Sequence, residues 1–383
     1  MKQSVLISGG GIVGTFLGLE LASRNIPFKI IERDLPEPSK FDDIRSLTLN
    51  STTHDRLQAL GVETASSAIQ EMKVLDGLGT GSLSFTAQEA KLDYLAAVLN
   101  FSKLRNSLLQ KVSSSMIHSK EIISFHAHQS GITGVLSDGS ELEASLLVVA
   151  EGRNSKLADL MAPQKTQKNY NQIARTFLVQ IHKFTPDQAI QVFHEQEIFA
   201  LMPYKKSGNS DHIFSVVWSV PGVMGAGESQ DDVLADLAKF EKKLACKIKP
   251  ISDILSFPLF AHHLDEYCDT GICVIADSAH SIHPLAGQGI NLGLADASIL
   301  AEEIEKGFNT GQNIGHISFL KKYELRRKAI NATMLNGVDL IFKIFQQDNP
   351  YFRVLRNLGL NTIDNFTYLK KQFIFYASGI YKI

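Results

Sequence analysis

The sequence SVLISGGGIVGTFLGLELASRNIPFKIIE occupies residues 4–32 and places a glycine cluster between two short apolar runs. Apolar residues recur at helical spacing after the glycines, and both runs are rich in β-branched residues. This order predicts a strand, a tight turn, a helix and a second strand. Such a βαβ unit predicts a parallel sheet with helices packed on it.

The glycines of this unit have the spacing of a dinucleotide-binding turn. Gly9, Gly11 and Gly14 fit the pattern G-x-G-x-x-G, and Glu32 ends the second run 18 residues after Gly14. The first glycine allows the tight turn, the second lets a pyrophosphate approach backbone N–H groups, and the third lets the helix pack on the strand. The acid would accept hydrogen bonds from an adenosine ribose. The alternative is a glycine turn that binds no nucleotide, and the pattern alone does not separate FAD from NAD.

A second sequence, VIADSAHSIHPLAGQGINLGLAD at residues 274–296, adds a carboxylate and a glycine-rich turn. Asp277 follows a predicted buried strand, where it suits a polyol hydroxyl such as those on the ribityl chain of a flavin. A helix is predicted from Asn291, and a helix N-terminus presents backbone N–H groups and a partial positive charge. The segment AGQG at that helix start would stabilise the anionic edge of a reduced flavin. The alternative is an ordinary strand, loop and helix.

The rest of the chain predicts a discontinuous organisation. Between about residues 170 and 220, short β-rich runs alternate with polar turns, which is typical of an antiparallel sheet. We therefore predict an α/β fold with a Rossmann-like FAD-binding domain, an inserted, mostly antiparallel β-sheet substrate domain, and C-terminal helices. The predicted boundaries are 1–70, 97–165 and 268–330 for the first domain, 71–96 and 166–267 for the second, and 331–383 for the helices.

Composition and charge exclude several classes of function. The net charge is −2 over 383 residues, which gives no electrostatic basis for binding nucleic acid. The apolar run before the glycines is short and no stretch reaches ~18 uncharged apolar residues, so we expect no signal peptide, no membrane span and a cytoplasmic protein. His280 and His283 lack a carboxylate-rich set around them, so we expect no metal site.

Residues 274–300 resemble the second FAD fingerprint of the class A, single-component flavoprotein aromatic hydroxylases. The motif HPLAGQGINLGLAD is similar to that of the subgroup that hydroxylates polyprenyl phenols in ubiquinone biosynthesis. The similarity extends to residues 42–62, 170–179, 355–360 and 370–379. The chain departs from the family at Glu151, where Asp usually precedes the glycine, and at Ala276 and Ser278, where Gly and Ala are usual. The longer Glu151 side chain is expected to weaken NAD(P)H binding.

The resemblance implies an FAD-dependent monooxygenase that uses NAD(P)H and O2. Through a flavin hydroperoxide it would hydroxylate the aromatic ring of a lipid-like polyprenyl phenol, and no catalytic side chain is assigned. The resemblance places Arg45 near the flavin and the pyridine nucleotide, the alternative being a surface charge. The cofactor-binding residues expected from the motifs and the resemblance are Gly9, Gly11, Ile12, Val13, Gly14, Glu32, Arg33, Arg45, Asn100, Arg105, Asp277, Pro284, Gly287, Gln288, Gly289, Ile290 and Asn291.

Two alternatives to this function are a hydroxylase of a small soluble aromatic and a catalytically silent FAD-binding scaffold of a biosynthetic complex. A soluble acid would favour a buried Arg or Tyr in the β-sheet domain, whereas a prenylated phenol needs an apolar channel. We predict a pocket between the HPLAGQG loop and the strands that contain Phe199–Pro203 and Phe214–Trp218, because an inserted sheet would cover the flavin edge there.

The C-terminal part of the chain is basic. Residues 321–383 contain 11 Lys and Arg against 4 Asp and Glu, with aromatic residues such as Phe373 near Lys370 and Lys371. One interpretation is peripheral contact with the inner face of a membrane or with a biosynthetic complex, since a polyprenyl substrate must be collected from a bilayer. The other is that the aromatics pack on the core and the lysines are solvated. A homo-oligomer is left open.

Overall fold

The computed structural model describes residues 3–34, 44–63, 65–162, 164–205, 212–223, 230–283, 287–346 and 350–380. The strands are β1 (Val5–Ser8), β2 (Phe28–Glu32), β3 (Ser46–Asn50), β4 (Ser66–Ile69), β5 (Glu71–Asp76), β6 (Ser82–Thr86), β7 (Ala96–Asn100), β8 (Met116–His118), β9 (Ile122–His128), β10 (Gly131–Leu136), β11 (Glu141–Ala144), β12 (Leu146–Val149), β13 (Lys165–Gln180), β14 (Gln188–His194), β15 (Glu197–Pro203), β16 (Ile213–Pro221), β17 (Lys249–Pro250), β18 (Leu255–Leu264), β19 (Cys268–Asp269), β20 (Ile272–Val274) and β21 (His280–Ser281). The helices are α1 (Ile12–Ser23), α2 (Ser51–Ala59), α3 (Ala87–Ala90), α4 (Phe101–Val112), α5 (Lys156–Met161), α6 (Gln230–Asp236), α7 (Ala238–Leu244), α8 (Gln288–Asn309), α9 (Ile317–Gln346), α10 (Pro350–Asn365) and α11 (Thr367–Ala377).

A parallel sheet is the centre of the nucleotide-binding part. Its strand order is β19-β20-β12-β1-β2-β8, and only the pairing of β19 with β20 is antiparallel. Every residue of β1 and β12 is buried, as expected for strands covered on both faces. Helix α1 packs on one face, and the antiparallel β11-β10-β9 sheet contacts the other. The sheet was predicted from the βαβ pattern, and the α/β fold class is confirmed.

A second, larger sheet forms the inserted part. It contains nine strands, and its main path runs β21-β18-β13-β16-β15-β14-β5-β6 with β17 paired to β13. All its pairings are antiparallel except that of β14 with β5, so the predicted mostly antiparallel sheet is confirmed. The exact domain boundaries stay a prediction.

The alternation of side chains along β15 and β16 shows which residues of these strands face the nucleotide-binding part. Phe199 and Trp218 are fully buried on the outer face of this sheet, where Phe199 stacks on Phe240 of α7 with ring centroids 4.3 Å apart. Their neighbours Ala200 and Met202 pack on the inner face against the β3-β7-β4 sheet. The strand period of two therefore sends the large aromatic residues away from the nucleotide-binding part.

The last helices return to the inserted sheet through buried ion pairs. Arg356 of α10 binds Asp76 of β5 at 2.8 Å, and both side chains are almost fully buried. Lys370 of α11 binds Glu89 at 2.6 Å and Asp364 at 3.1 Å with 5% of its side chain exposed. The interpretation of Lys370 as a free surface charge is therefore wrong, because the fold uses it to attach α11.

Candidate functional site

Four strand ends meet at one edge of the parallel sheet. The strands β1, β2, β12 and β20 are parallel, so the residues that follow them lie at the same edge. These residues are the glycine turn after Ser8, Glu32, Glu151 and Asp277. Sequence positions separated by more than 260 residues are thereby brought to one site.

The three motif glycines have different surroundings, and each fits a nucleotide-binding turn. Gly9 has φ +107°, and a β-carbon there would overlap the carbonyl of Ala150. A β-carbon on Gly14 would overlap the Gly9 carbonyl oxygen, whereas one on Gly11 would meet no atom within 4 Å. Gly11 therefore leaves open space above the turn, as a pyrophosphate requires, and Ile12 and Val13 begin α1 beside it.

Glu32 is held by backbone amides at the end of β2. One carboxylate oxygen accepts a hydrogen bond from Gly10 N, and the other accepts one from Asp34 N at 3.0 Å. Each carboxylate oxygen retains a further lone pair for a ligand hydroxyl. The adjacent Arg33 is exposed and forms ion pairs with Asp34 at 3.0 Å and Glu121 at 3.5 Å.

Asp277 is an exposed residue within an otherwise buried segment. It is the one exposed residue from 271 to 283, so its carboxylate faces a recess in the protein. The surrounding protein desolvates the carboxylate and raises its pKa, while the positive charges of His280 and Arg153 act in the opposite direction. A carboxylate in such a recess suits a ligand hydroxyl that donates a hydrogen bond.

A buried network supports the turn that carries Asp277. Asp296 of α8 accepts hydrogen bonds from Ala276 N at 3.0 Å and from His280 Nε2 at 2.6 Å, and Arg327 Nε donates to it at 2.6 Å. Burial alone would raise the pKa of Asp296, but His280 and Arg327 hold it well below its usual range. Ala276 has φ +55°, a conformation that favours glycine. The family's usual glycine at this position thus has a backbone reason, and the network holds alanine in the same conformation.

Glu151, the other departure from the family pattern, is engaged by two serines. Ser8 Oγ donates to one carboxylate oxygen at 2.5 Å, and Ser155 Oγ donates to the other at 2.6 Å. Ser278 Oγ donates to the Gly152 carbonyl at 3.1 Å. The longer side chain therefore ties β1 to the turn after β12, and Ser278 ties that turn to the Asp277 turn.

Helix α8 begins at Gln288, three residues before the predicted start. Gly287 is the N-cap of this helix and has φ +65°, a left-handed conformation that favours glycine. The first-turn amides are therefore those of Gln288, Gly289 and Ile290. Pro284 lies outside the described residues.

Asn291 fixes this helix start to β3. Its Oδ1 accepts a hydrogen bond from Asn50 N at 2.9 Å, and its Nδ2 donates to the carbonyls of Thr48 at 2.9 Å and Gly287 at 3.1 Å. Among the residues that the structure describes, a β-carbon on Gly289 would meet only Ile282, at 4.0 Å. The helix start is held rigidly by protein contacts, yet it is open at Gly289.

The remaining residues that were predicted to contact the cofactor are Arg45, Asn100 and Arg105, and they differ in burial and in the protein contacts that they make. Arg45 is exposed and lies 4.1 Å over the Phe101 ring. Asn100 caps α4 by accepting from Lys103 N at 2.8 Å, and its amide donates to Tyr204 Oη at 2.8 Å. Arg33 is the main cause of the lowered pKa of Asp34, just after β2, and the charge of the half-buried Arg105 adds to this effect. The structure thus places Arg105 towards the Glu32 side, whereas Asn100 has a structural role.

Three residues of this region were not predicted from the sequence. Gly10 brings its N–H to Glu32, Arg153 acts electrostatically on Asp277, and Asp296 holds the turn at Ala276. The triple glycine was a signal for Gly10, because a β-carbon there would overlap Glu32. No local signal identified Asp296, since its partners come from three separate elements. Within the described residues, no group of three or more His, Cys, Asp or Glu could hold a metal ion.

The family of the chain follows from its sequence together with this geometry. The chain belongs to the family described as FAD binding domain, which it matches over residues 2–337. It shares its fold with HpxO from Klebsiella pneumoniae in complex with FAD and uric acid, at a TM-score of 0.77 and 18% identity over 97% of each chain. It also shares its fold with p-nitrophenol 4-monooxygenase PnpA from Pseudomonas putida, at a TM-score of 0.79 and 14% identity, covering 100% of this chain and 99% of that one. The protein is therefore a flavoprotein of the FAD-dependent monooxygenase fold, with FAD as its cofactor.

Related sequences narrow the comparison. The 3-demethoxyubiquinol 3-hydroxylase of Escherichia coli is 29% identical over 393 residues, and the alignment covers 98% of each chain. The ubiquinone hydroxylase UbiL of Rhodospirillum rubrum is 26% identical over 394 residues, covering 99% of this chain and 90% of that one. The chain is thus similar over nearly its whole length to hydroxylases whose names refer to ubiquinone.

Proposed function

We propose that the protein is an FAD-dependent monooxygenase that uses NAD(P)H and O2 to hydroxylate a polyprenyl phenol in ubiquinone biosynthesis. The observation that carries this proposal is the meeting of the Gly9 turn, Glu32, Asp277 and the α8 N-terminus at one edge, in a chain similar throughout to ubiquinone hydroxylases. When bound, FAD supplies the oxygen chemistry. The protein supplies binding, orientation and exclusion of water.

Each part of the site then has one role toward the cofactor. The turn from Gly9 to Gly14 and the start of α1 would hold the pyrophosphate, and Glu32 would accept from the adenosine ribose. Asp277 would accept from the ribityl hydroxyls. The α8 N-terminus would stabilise negative charge on the reduced ring through its free amides and helix dipole.

An apolar cluster beside the helix start supports a lipid-like substrate. Ile282 and Leu292 flank the α8 start and pack with Phe193 and Ile198 from the inner face of the large sheet. Residues Met334, Val338, Phe342 and Phe345 of α9 continue this cluster away from Gly289. These residues are buried against one another, so an apolar region adjoins the helix start, and each CH2 of a prenyl chain buried there would contribute about 0.8 kcal/mol.

The observations favour a prenylated phenol over a small aromatic acid. Arg175, a buried arginine of the large sheet, lies 5.0 Å from the Trp218 ring centroid, on the outer face. Tyr204 is buried against Asn100. A carboxylate-bearing substrate at the inner face would therefore not meet Arg175, and the Tyr204 hydroxyl on that face already accepts a hydrogen bond from Asn100.

The direct test is aerobic turnover by the purified protein. Addition of a prenylated phenol should stimulate NAD(P)H consumption and yield a product that carries one oxygen atom from labelled O2. NAD(P)H consumption without stimulation or product would favour the silent scaffold. Stimulation by a benzoate and not by the phenol would favour the soluble-acid alternative.

The place in ubiquinone biosynthesis requires a separate test in cells. Deletion of the gene should cause a prenylated intermediate that lacks one ring hydroxyl to accumulate, detectable by mass spectrometry of lipid extracts. Unchanged quinone intermediates after deletion would contradict this placement, even for a protein that is an active hydroxylase in vitro. The accumulated intermediate would also identify the ring position.

We further propose that a cytoplasmic form of the protein collects its substrate by peripheral contact with the inner face of the membrane. None of the described helices is both long enough and apolar enough to cross a bilayer. Among the 11 basic side chains of the tail, those of Arg326, Arg327, Arg356 and Lys370 form ion pairs within the protein. Electrostatic attraction is therefore a smaller part of this contact than the charge count suggested.

An exposed apolar face of α10 supports the membrane contact. Tyr351, Leu355 and Leu358 recur at helical spacing and are 81%, 63% and 58% exposed. Leu340 and Ile344 of α9 are also exposed. Contiguous exposed apolar residues are unusual on a protein surface that remains in water, and an amphipathic face can bind a bilayer without spanning it.

A vesicle experiment tests this contact. Wild type should pellet with vesicles containing acidic lipid, and the double variant Leu355→Glu with Leu358→Glu should not. Leu160→Glu is a matched control, because Leu160 of α5 is 60% exposed outside this face. Equal and negligible pelleting of all three proteins would reject direct membrane contact. Self-association that the double variant abolishes in the absence of lipid would instead assign the face to a homo-oligomer.

A further inference from the structure

His283 is a buried side chain at the end of the second fingerprint that the cofactor assignments do not use. Its side chain is 1% exposed and lies four residues before Gly287. The imidazole packs edge-on to Tyr170 at a centroid distance of 4.9 Å and lies 5.2 Å from the Phe342 ring. It is therefore held between β13 and α9, at a position four residues before the N-cap of α8.

The hydrogen bonds of Gln172 determine the tautomer of this imidazole. Gln172 Nε2 lies 2.6 Å from the carbonyl oxygen of Gln196, which can only accept, so the amide nitrogen must be at that position. Gln172 Oε1 then lies 3.0 Å from His283 Nε2. Because an amide oxygen cannot donate, Nε2 carries the proton and donates it to Gln172.

The same assignment leaves Nδ1 as a hydrogen-bond acceptor. Burial lowers the pKa of His283 to about 4, so the ring is neutral at physiological pH and Nδ1 carries no proton. Nδ1 is buried and has no hydrogen-bond partner within the described part of the chain. A buried acceptor without a donor is costly, which makes a hydroxyl donor from a ligand favourable here.

The surroundings of Nδ1 match one end of an amphipathic phenol. Phe342 contacts the His283 ring and belongs to the apolar cluster that includes Ile198, Ile282 and Leu292. Ligand sites usually combine a mainly apolar lining with few fixed polar groups that orient the ligand. Here the imidazole supplies the polar group and the buried cluster supplies the apolar surroundings.

We infer that His283 Nδ1 accepts a hydrogen bond from the ring hydroxyl of the phenolic substrate and so orients the ring beside the α8 start. This inference rests on the proposed function and adds to it the residue that recognises the substrate hydroxyl. Gln172 is a positioning residue, because it fixes the tautomer without contact with the substrate.

The test compares a phenol with its methyl ether. Ortho-allylphenol and ortho-allylanisole have nearly the same shape, but only the phenol can donate a hydrogen bond. Their dissociation constants are measured from the change in the FAD absorption spectrum of the holoenzyme. Wild type should prefer the phenol by about tenfold, the ratio that one net hydrogen bond gives.

Two substitutions separate the two ring nitrogens. His283→Asn places a side-chain oxygen near the position of Nδ1, and His283→Gln places an amide near the position of Nε2 and removes the acceptor at Nδ1. The preference for phenol over ether should persist in His283→Asn and disappear in His283→Gln. General damage to the site would weaken both ligands equally and leave their ratio unchanged.

The outcomes also distinguish this inference from the proposed function. Equal wild-type affinities for phenol and ether would overturn it and indicate that a buried water satisfies Nδ1. An unchanged preference in His283→Gln would overturn it as well, even if the enzyme hydroxylates the phenol. A wild type that prefers the phenol but never hydroxylates a prenylated phenol would contradict the proposed function alone.

Discussion

Ala276 and Asp277 are adjacent residues with opposite relations to solvent. Ala276 is buried in a left-handed conformation and donates its N–H to Asp296, whereas Asp277 is exposed to the recess at the sheet edge. The unusual backbone angle turns the chain so that the carboxylate leaves the core immediately after β20. The position of the carboxylate that is predicted to bind the cofactor therefore depends on the strained residue before it.

Replacing Ala276 with glycine should stabilise the protein. A left-handed backbone conformation costs a residue with a β-carbon about 1–2 kcal/mol. Glycine avoids this cost, but its greater flexibility in the unfolded chain offsets part of the gain. We expect a gain of roughly 0.5–1 kcal/mol in the free energy of unfolding by urea. Ala279→Gly is the control, because Ala279 has φ −95° and gains no conformational relief. Lower stability of Ala276→Gly would show that the alanine methyl group contributes more by packing.

Replacing Asp277 with alanine should reduce FAD occupancy of the purified protein. The lost charge-assisted hydrogen bond is worth about 1.5–3 kcal/mol, or roughly 10- to 100-fold in affinity. Asp269→Ala, at an exposed turn outside this edge, is the matched control. Occupancy is read from the ratio of flavin to protein absorbance. Undiminished FAD in Asp277→Ala would remove this residue from the site.

At the scale of elements, the start of α8 shows how a helix end is made available to a ligand. Gly287 ends the loop, Asn291 holds the first turn to β3, and Gly289 has free space around it. The helix amides are thus fixed by the protein without being covered by it. Rigid placement of donors is what allows a site to stabilise charge without reorganisation.

The substitution Gly289→Val should impair the cofactor site while the fold is retained. Within the described part of the chain, a β-carbon there meets only Ile282 at 4.0 Å, so these residues leave room for it. We expect weaker FAD binding and loss of turnover, because the added methyl groups would crowd the flavin. Gly337→Val on α9 is the matched control, since a β-carbon there meets no atom within 4 Å. Wild-type FAD content and turnover in Gly289→Val would place the flavin elsewhere.

Strand β15 allows stability and substrate binding to be separated at neighbouring positions. Phe199→Ala should destabilise the protein by about 3–5 kcal/mol, as for other buried aromatic side chains, without altering phenol affinity of the folded fraction. Ile198→Ala should weaken phenol binding, because Ile198 lies in the apolar cluster beside Ile282. Urea unfolding and ligand titration measure the two effects. If Phe199→Ala changed the phenol affinity and Ile198→Ala did not, the phenol would bind at the outer face of the large sheet.

At the scale of the whole molecule, the C-terminal helices join the two main sheets. Arg327 of α9 binds Asp296 behind the cofactor edge, and Arg356 of α10 binds Asp76 of the large sheet. These contacts are buried charge pairs, and removing one partner typically costs about 3–5 kcal/mol. The helices are therefore part of the site's support, and their outer apolar face remains available for contact with a membrane.

Several buried histidines should make the protein sensitive to acid. In the folded protein, burial lowers the pKa of His283 from 6.5 to about 4, so between these values the unfolded chain binds a proton that the folded chain excludes. The free energy of unfolding should therefore fall on acidification below about pH 6.5, by about 1.4 kcal/mol per pH unit for this group, and level off near its folded pKa. Burial also lowers the pKa values of His54, His262 and His263.

Urea unfolding at several pH values measures this dependence. His283→Gln should show a shallower decrease between about pH 6.5 and 4, since one titrating group is absent. An identical slope in wild type and variant would indicate that His283 is protonated in the folded protein. That result would also conflict with the neutral tautomer on which substrate recognition depends.

The sequence by itself determined the parts of this protein that rest on local patterns. The βαβ unit, the glycine turn and the carboxylate after β20 were predicted because strand and helix periods and turn residues are encoded within a few neighbouring positions. The topology of parallel strands then implies that Glu32 and Asp277 meet at one edge. The cofactor-binding roles of these residues stay predictions.

Only the tertiary structure decided which partners the longer-range residues choose. Asp296 holds Ala276 from 20 positions away, Lys370 pairs with Glu89 across 281 positions, and Trp218 faces α7 instead of the cofactor edge. The period of two shows that alternate side chains of a strand share a face, but it does not show which face meets which domain. The packing of whole elements determines the face, and here α7 covers Phe199 and Trp218 and removes their large apolar surfaces from water.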